Sequence, residues 1–130
     1  MNHDKRIKTV VGNTLLSKVR EIAVKFPDVN EQVDQFGHTS FRIKNKPFVM
    51  MGETEDGPTL AVKTLKTTQH LLLQQKERFF KTAYIGQHGW TSMYTNLIFN
   101  WDEIEGLIKE AYLQTAPKRI AKEVMEDIKR

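Results

Sequence analysis

The chain contains no cysteine, which excludes disulfides and thiolate metal sites and fits a reducing compartment. No apolar run approaches the ~18 residues of a membrane span. Residues 1–8 are polar and charged, without the apolar core of a signal peptide. The expected location is therefore the cytoplasm, with no membrane contact. The serines are Ser17, Ser40 and Ser92, and none stands in a nucleophile setting. The sequence also lacks GxSxG, P-loop, GxGxxG and HExxH patterns. No catalytic residue, cofactor or metal site is expected, and the chain reads as a binding protein rather than an enzyme. Internal repeats, low-complexity tracts and linkers are absent as well.

What remains is a globular composition. The 130 residues are 39% hydrophobic and 28% charged, enough to bury a core in one domain spanning residues 1–130. Twenty Lys and Arg against sixteen Asp and Glu give a net charge of +4. That mild excess decides nothing by itself, but its distribution is uneven. Residues 38–48 hold Arg42, Lys44 and Lys46 and no acid, whereas residues 102–110 hold Asp102, Glu103, Glu105 and Glu110 against Lys109.

Hydrophobic periodicity sets the elements. Ile7, Val10, Val11, Leu15, Val19, Ile22, Ala23 and Phe26 recur at three and four, predicting a helix over residues 5–26 that Pro27 stops. The period then becomes two. Thr39, Phe41 and Ile43 share one face of a strand, and Ser40, Arg42 and Lys44 the other. Asn45 and Lys46 are expected to turn the chain into a strand over residues 47–52. A polar turn ending at Asp56-Gly57 leads to a third strand over residues 59–63. Thr67 or Thr68 is expected to cap a helix through Glu77 that turns Leu71 and Leu72 inward. Tyr84-Ile85 reads as a short extended piece, and residues 90–95 as another strand. Asn100 with Glu103 resembles a capping box for a helix over residues 101–114. Thr115, with Pro117 just inside, is expected to start a last helix through Ile128. The fold class is α+β, an antiparallel sheet with helices packed on one face.

The pieces Phe36-Gly37-His38, Phe41-Arg42-Ile43 with Lys46-Pro47-Phe48, Leu60-Ala61-Val62-Lys63, and Ala83-Tyr84-Ile85 leading to Gly89-Trp90 occur in this order across nearly the whole chain. With the basic Pro117-Lys118-Arg119, they resemble the MmcQ/YjbR family of small bacterial proteins. The resemblance implies a frataxin-like "double wing" α+β fold and a DNA-binding role. Iron binding in frataxins is associated with an acidic surface that includes the first helix. Here that helix offers only Asp4 and Glu21 among basic residues, so the iron activity is not expected to transfer.

Strand parity makes a candidate site. Arg42, Lys44 and Lys63 are expected to share the uncovered sheet face, with Lys46 at its rim, where they would neutralise phosphates. Trp90 would stack on bases. The same charges also read as an ordinary solvated sheet face. His38, Tyr84 and His88 are expected at the edge of this site, the histidines beside Arg42 and Trp90. The other aromatics read as core. The expected partner is DNA, bound weakly and without sequence preference. The alternative is a protein partner or a small anion on the same face, favoured if His38, Tyr84 and Trp90 close a pocket.

Overall fold

The computed structural model describes residues 4–129; residues 1–3 of the polar N-terminal stretch and Arg130 lie outside it. Four helices and six strands are arranged as α1 (Val10–Ala23), β1 (Val29–Val33), β2 (Thr39–Ile43), β3 (Lys46–Thr54), β4 (Gly57–Lys63), α2 (Lys66–Leu73), β5 (Phe79–Lys81), β6 (Trp90–Met93), α3 (Trp101–Thr115) and α4 (Lys118–Lys129). The strands form one antiparallel sheet in the order β1-β2-β3-β4-β6-β5. This is the expected α+β class.

Helices α1 and α3 lie against β3 and β4. The core between them joins Val19 and Ala23 of α1, Ile108 and Ala111 of α3, and Phe41, Ile43, Val49, Met51, Leu60 and Val62 of the strands. Tyr112 closes one end of this core. It stacks on Phe26, with ring centroids 4.7 Å apart, and meets Phe48 edge-on at 5.5 Å. Burial raises its phenol to a pKa of about 12, helped by the negative charges of Asp28 and Glu123.

Helix α1 is shorter than its apolar spacing predicts. Thr9 caps it, its Oγ1 accepting from the Gly12 amide at 3.0 Å. Val10 and Val11 then point to solvent, while Leu16 enters the core. The Thr9 hydroxyl donates to Glu53 of β3 at 2.8 Å, which sets a carboxylate at the helix's positive end. Helix α2 ends at Leu73 and has no side-chain cap at its start. Leu72 is buried and Leu71 exposed, and Thr68, expected to cap, lies inside the helix and donates its hydroxyl to Glu110 of α3 at 2.7 Å. The Asn100 cap of α3 is present, accepting from the Glu103 amide at 3.2 Å. Thr115 ends α3 instead of starting α4.

In β3, Phe41 pairs with Val49 while Arg42 pairs with Pro47, so Phe48 is an extra residue opposite that step. This bulge turns two consecutive side chains, Phe48 and Val49, to the core, and both are fully buried. It also separates the two methionines. Met51 is core, whereas Met50, opposite Ser40 and Ala61, lies on the other face.

Candidate nucleic-acid interface

The face away from α1 and α3 follows from the register. Asn30 stands beside Arg42, Gln32 beside Ser40, Met50 beside Ala61, Ser92 beside Phe80, and Lys63 beside Trp90. None of these side chains is acidic. Strands lie about 4.8 Å apart, so Arg42 and Lys63, separated by β3, stand roughly 10 Å from each other, within reach of neighbouring phosphates on one strand of nucleic acid.

Arg42 is half-buried and partly committed. Its Nε donates to Ser40 Oγ at 2.9 Å and its Nη1 to the Asn45 carbonyl at 3.0 Å. Its Nη2 takes part in neither bond. Lys63 is half-buried at the end of β4. Lys44 does not share their face. With Asn45 it forms the hairpin turn, both residues having positive φ (49° and 67°), the pattern of a two-residue hairpin whose twist matches the strands. Its Nζ is 4.0 Å from Asp28. Lys46 is exposed at the rim opposite Ile43, on the helix side. The turn is thus one residue earlier than expected, and Lys44 belongs to the end of the sheet.

Trp90 is not a platform. It is only 6% exposed, yet it lies outside the contiguous core cluster, on the outer face opposite Lys63. Tyr84, expected at the edge of the site in an extended piece, departs from that expectation in its backbone. It is 94% exposed, at the tip of the β5–β6 loop, in a left-handed backbone conformation (φ 68°) instead of an extended one.

That loop is held from beneath. Gln69 of α2 donates its Nε2 to the carbonyls of Gly86 and Trp90 at 3.0 and 3.1 Å. Thr64 donates its hydroxyl to the Gly89 carbonyl at 2.7 Å, and its amide reaches the same oxygen at 3.0 Å. Gln69, Thr64 and the adjoining Thr91 are buried. A 3-10 turn, Gly86–His88, leads into β6. Gly89 is required there: its φ is +96°, and a Cβ would stand 2.4 Å from the Thr64 carbonyl oxygen.

The two histidines are not brought together. His38 lies in the turn before Thr39, at the end of the sheet where Met51, Leu60 and Met93 line up. Its Nδ1 is 3.3 Å from Asp34, which also accepts from the His38 and Phe36 amides at 2.9 Å. His88 lies at the opposite end, beside Trp90 and Lys63. Hence His38, Tyr84 and Trp90 close no common pocket: strands β3 and β4 lie between β2 and β6, and His38 is at the other end of the sheet from Trp90. Register across the sheet, which sequence does not display, decides the point. Among the described residues, no group of three or more His, Asp or Glu is placed to hold a metal ion. No helix among them is long and apolar enough to cross a membrane.

The order and geometry of these segments have a counterpart in sequence. The YjbR family model matches residues 24–114, from the end of α1 through α3. The chain belongs to the YjbR family. No curated protein matches the sequence. A crystal structure of the Deinococcus radiodurans protein DR2400, with a DUF419 domain, is similar over 76% of each chain, with TM-score 0.68 and 14% identity. At that identity the likeness shows the fold alone. The YjbR match leaves α4 outside it, and covers every strand of the sheet.

Proposed function

We propose that this YjbR-family protein binds the phosphodiester backbone of DNA in the cytoplasm, without catalysis, through Arg42 and Lys63 on the outer sheet face, with Lys44 in the adjoining turn and Lys46 at the rim. The observation that carries this reading is the shared outward register of Arg42 and Lys63 on a face whose paired strand residues include no acid, with Lys44 and Lys46 at its rim. Glu110 of α3 is occupied by the Leu65 amide and the Thr68 hydroxyl. Lysines on such a surface neutralise phosphates and release counterions, which gives affinity without base preference. The antiparallel sheet with α1 and α3 on one side also suits the double-wing, frataxin-like layout expected of the family.

The alternative, a protein partner or small anion at the same face, draws its support from a pocket closed by His38, Tyr84 and Trp90. Their placement at opposite ends of the sheet favours an extended ligand instead. Fluorescence anisotropy of labelled DNA, titrated at about 50 and 150 mM salt, tests the reading. Binding should weaken steeply with salt. Lys46→Ala with Lys63→Ala should lower both affinity and salt slope, the slope by roughly 0.9 for each phosphate that is no longer neutralised. An unchanged slope in that double variant overturns the site.

A further inference from the structure

The exposed aromatic at this end of the molecule is Tyr84, and its setting differs from that of an incidental surface residue. Its ring is 94% exposed, so packing does not explain a large side chain there. Its backbone has φ 68°, a region that glycine or asparagine adopts readily and tyrosine rarely. Strain of this kind, retained under a fully exposed side chain, points to a use for that side chain.

The loop beneath Tyr84 is also built to stay still. The Thr82 amide reaches the Trp90 carbonyl at 3.3 Å, and the Gly86 amide reaches the Thr82 carbonyl at 2.8 Å. The buried amide of Gln69 and hydroxyl of Thr64 then fix Gly86, Gly89 and Trp90 to α2 and β4. A ring on a rigid support loses little freedom when a ligand covers it. Lys81 precedes the loop, and Trp90 after it pairs with Lys63. The exposed ring is thus carried by the loop that enters β6 beside Lys63, a cation already assigned to phosphate.

We infer that Tyr84 is a base-stacking anchor and that the ligand of this end is single-stranded nucleic acid. The inference rests on the phosphate-binding reading above. A tyrosine ring stacks on any unpaired base, whereas in a duplex the base faces are covered by one another. The lysines would track the backbone while Tyr84 takes one base, a division that yields affinity for single strands with little preference for sequence.

The test compares a labelled 20-mer of dT with a labelled 20-bp duplex, by anisotropy at low salt, for the full chain and three variants. Tyr84→Asn should weaken the single strand about tenfold or more and leave the duplex within about twofold. Asparagine tolerates the positive φ, so the variant should fold, which circular dichroism verifies. Tyr84→Phe, which keeps the ring, should retain single-strand affinity. Lys46→Ala with Lys63→Ala should weaken both ligands. If Tyr84→Asn binds the single strand like the parent while the lysine variant does not, the stacking role is wrong and the phosphate site stands. A parent protein that prefers duplex overturns the single-strand assignment. Absence of binding to either probe overturns both readings.

Discussion

Tyr112 donates its phenolic hydrogen to the carbonyl of Pro27 at 2.8 Å, across 85 positions of sequence. The bond joins the last turns of α3 to the chain just beyond α1, at the place where Pro27 ends the first apolar stripe. Replacing Tyr112 with Phe keeps the stacked ring and removes the bond, at an expected cost of about 1 kcal/mol. The pH dependence carries more information. Burial raises the Tyr112 pKa from its ordinary value of 10.0 to about 12. Below pH 10 both folded and unfolded chains hold the proton, and the contribution is complete. Between the two values the unfolded chain releases it first and so binds fewer protons, and stability falls as pH rises. The advantage of the parent over Tyr112→Phe in urea denaturation should therefore be constant from pH 7 to 9 and shrink by pH 11. A gap that does not change with pH would show that Tyr112 ionises as it does in the unfolded chain.

Gln69 supplies both hydrogen bonds that fasten the β5–β6 loop to α2. Gln69→Leu preserves approximate size and leaves the Gly86 and Trp90 carbonyls without those donors. The expected loss is roughly 1–3 kcal/mol. Amide hydrogen exchange should accelerate most at residues 86–90, where the loop is tied. Uniform acceleration across the sheet would mean that Gln69 supports the whole fold rather than the loop.

Gly89→Ala places a methyl group against a backbone oxygen in a conformation that only glycine adopts easily. A flexible side chain can move aside, but Thr64 is tied to this same turn by two hydrogen bonds. The expected destabilisation is at least about 2 kcal/mol, read from the denaturation midpoint. Parent-like stability would show that the turn can relax.

Trp90→Ala should cost about 3–5 kcal/mol, as truncation of a buried aromatic does. Trp90→Phe should cost less and leave single-strand affinity within about twofold. Loss of affinity in a fully folded Trp90→Phe protein would return the stacking role to Trp90.

Glu53→Ala removes the carboxylate that receives the Thr9 hydroxyl at the start of α1. About 1 kcal/mol should be lost, with faster exchange confined to the first turn of the helix. No change would mean that Thr9 alone suffices as the cap.

Sequence reading succeeds where the signal is local. The Asn100 cap, the existence of a polar turn between β3 and β4 and the Phe41–Ile43 alternation depend on neighbours a few positions away; the turn itself is Glu55-Asp56, with Gly57 already in β4. Strand β1 escapes it because this edge strand is almost wholly exposed, so Val29–Val33 shows no inside and outside to read. Lys44 is misplaced because extending the alternation by one residue overruns a turn whose only mark is Lys-Asn. The burial of Trp90 and the exposure of Tyr84 escape the sequence for a different reason. Both faces of a sheet can bury an aromatic, and a loop's exposure depends on what anchors it, here a glutamine from another element. The separation of His38 from His88 depends on β6 running opposite to β2, so that the two strands start at opposite ends of the sheet, a matter of topology alone.

The bulge in β3 bears on how the length of this strand can vary. Side chains normally alternate, so losing one residue flips everything beyond it. Phe48 and Val49 face the same way, so removing either leaves Pro47 outward and Met51 inward, as before. Removing Met50 would exchange the faces of half the strand. Among homologues that differ by one residue in this strand, the gap should therefore fall at Phe48 or Val49, and the shorter chains should compensate for a missing ring beside Tyr112.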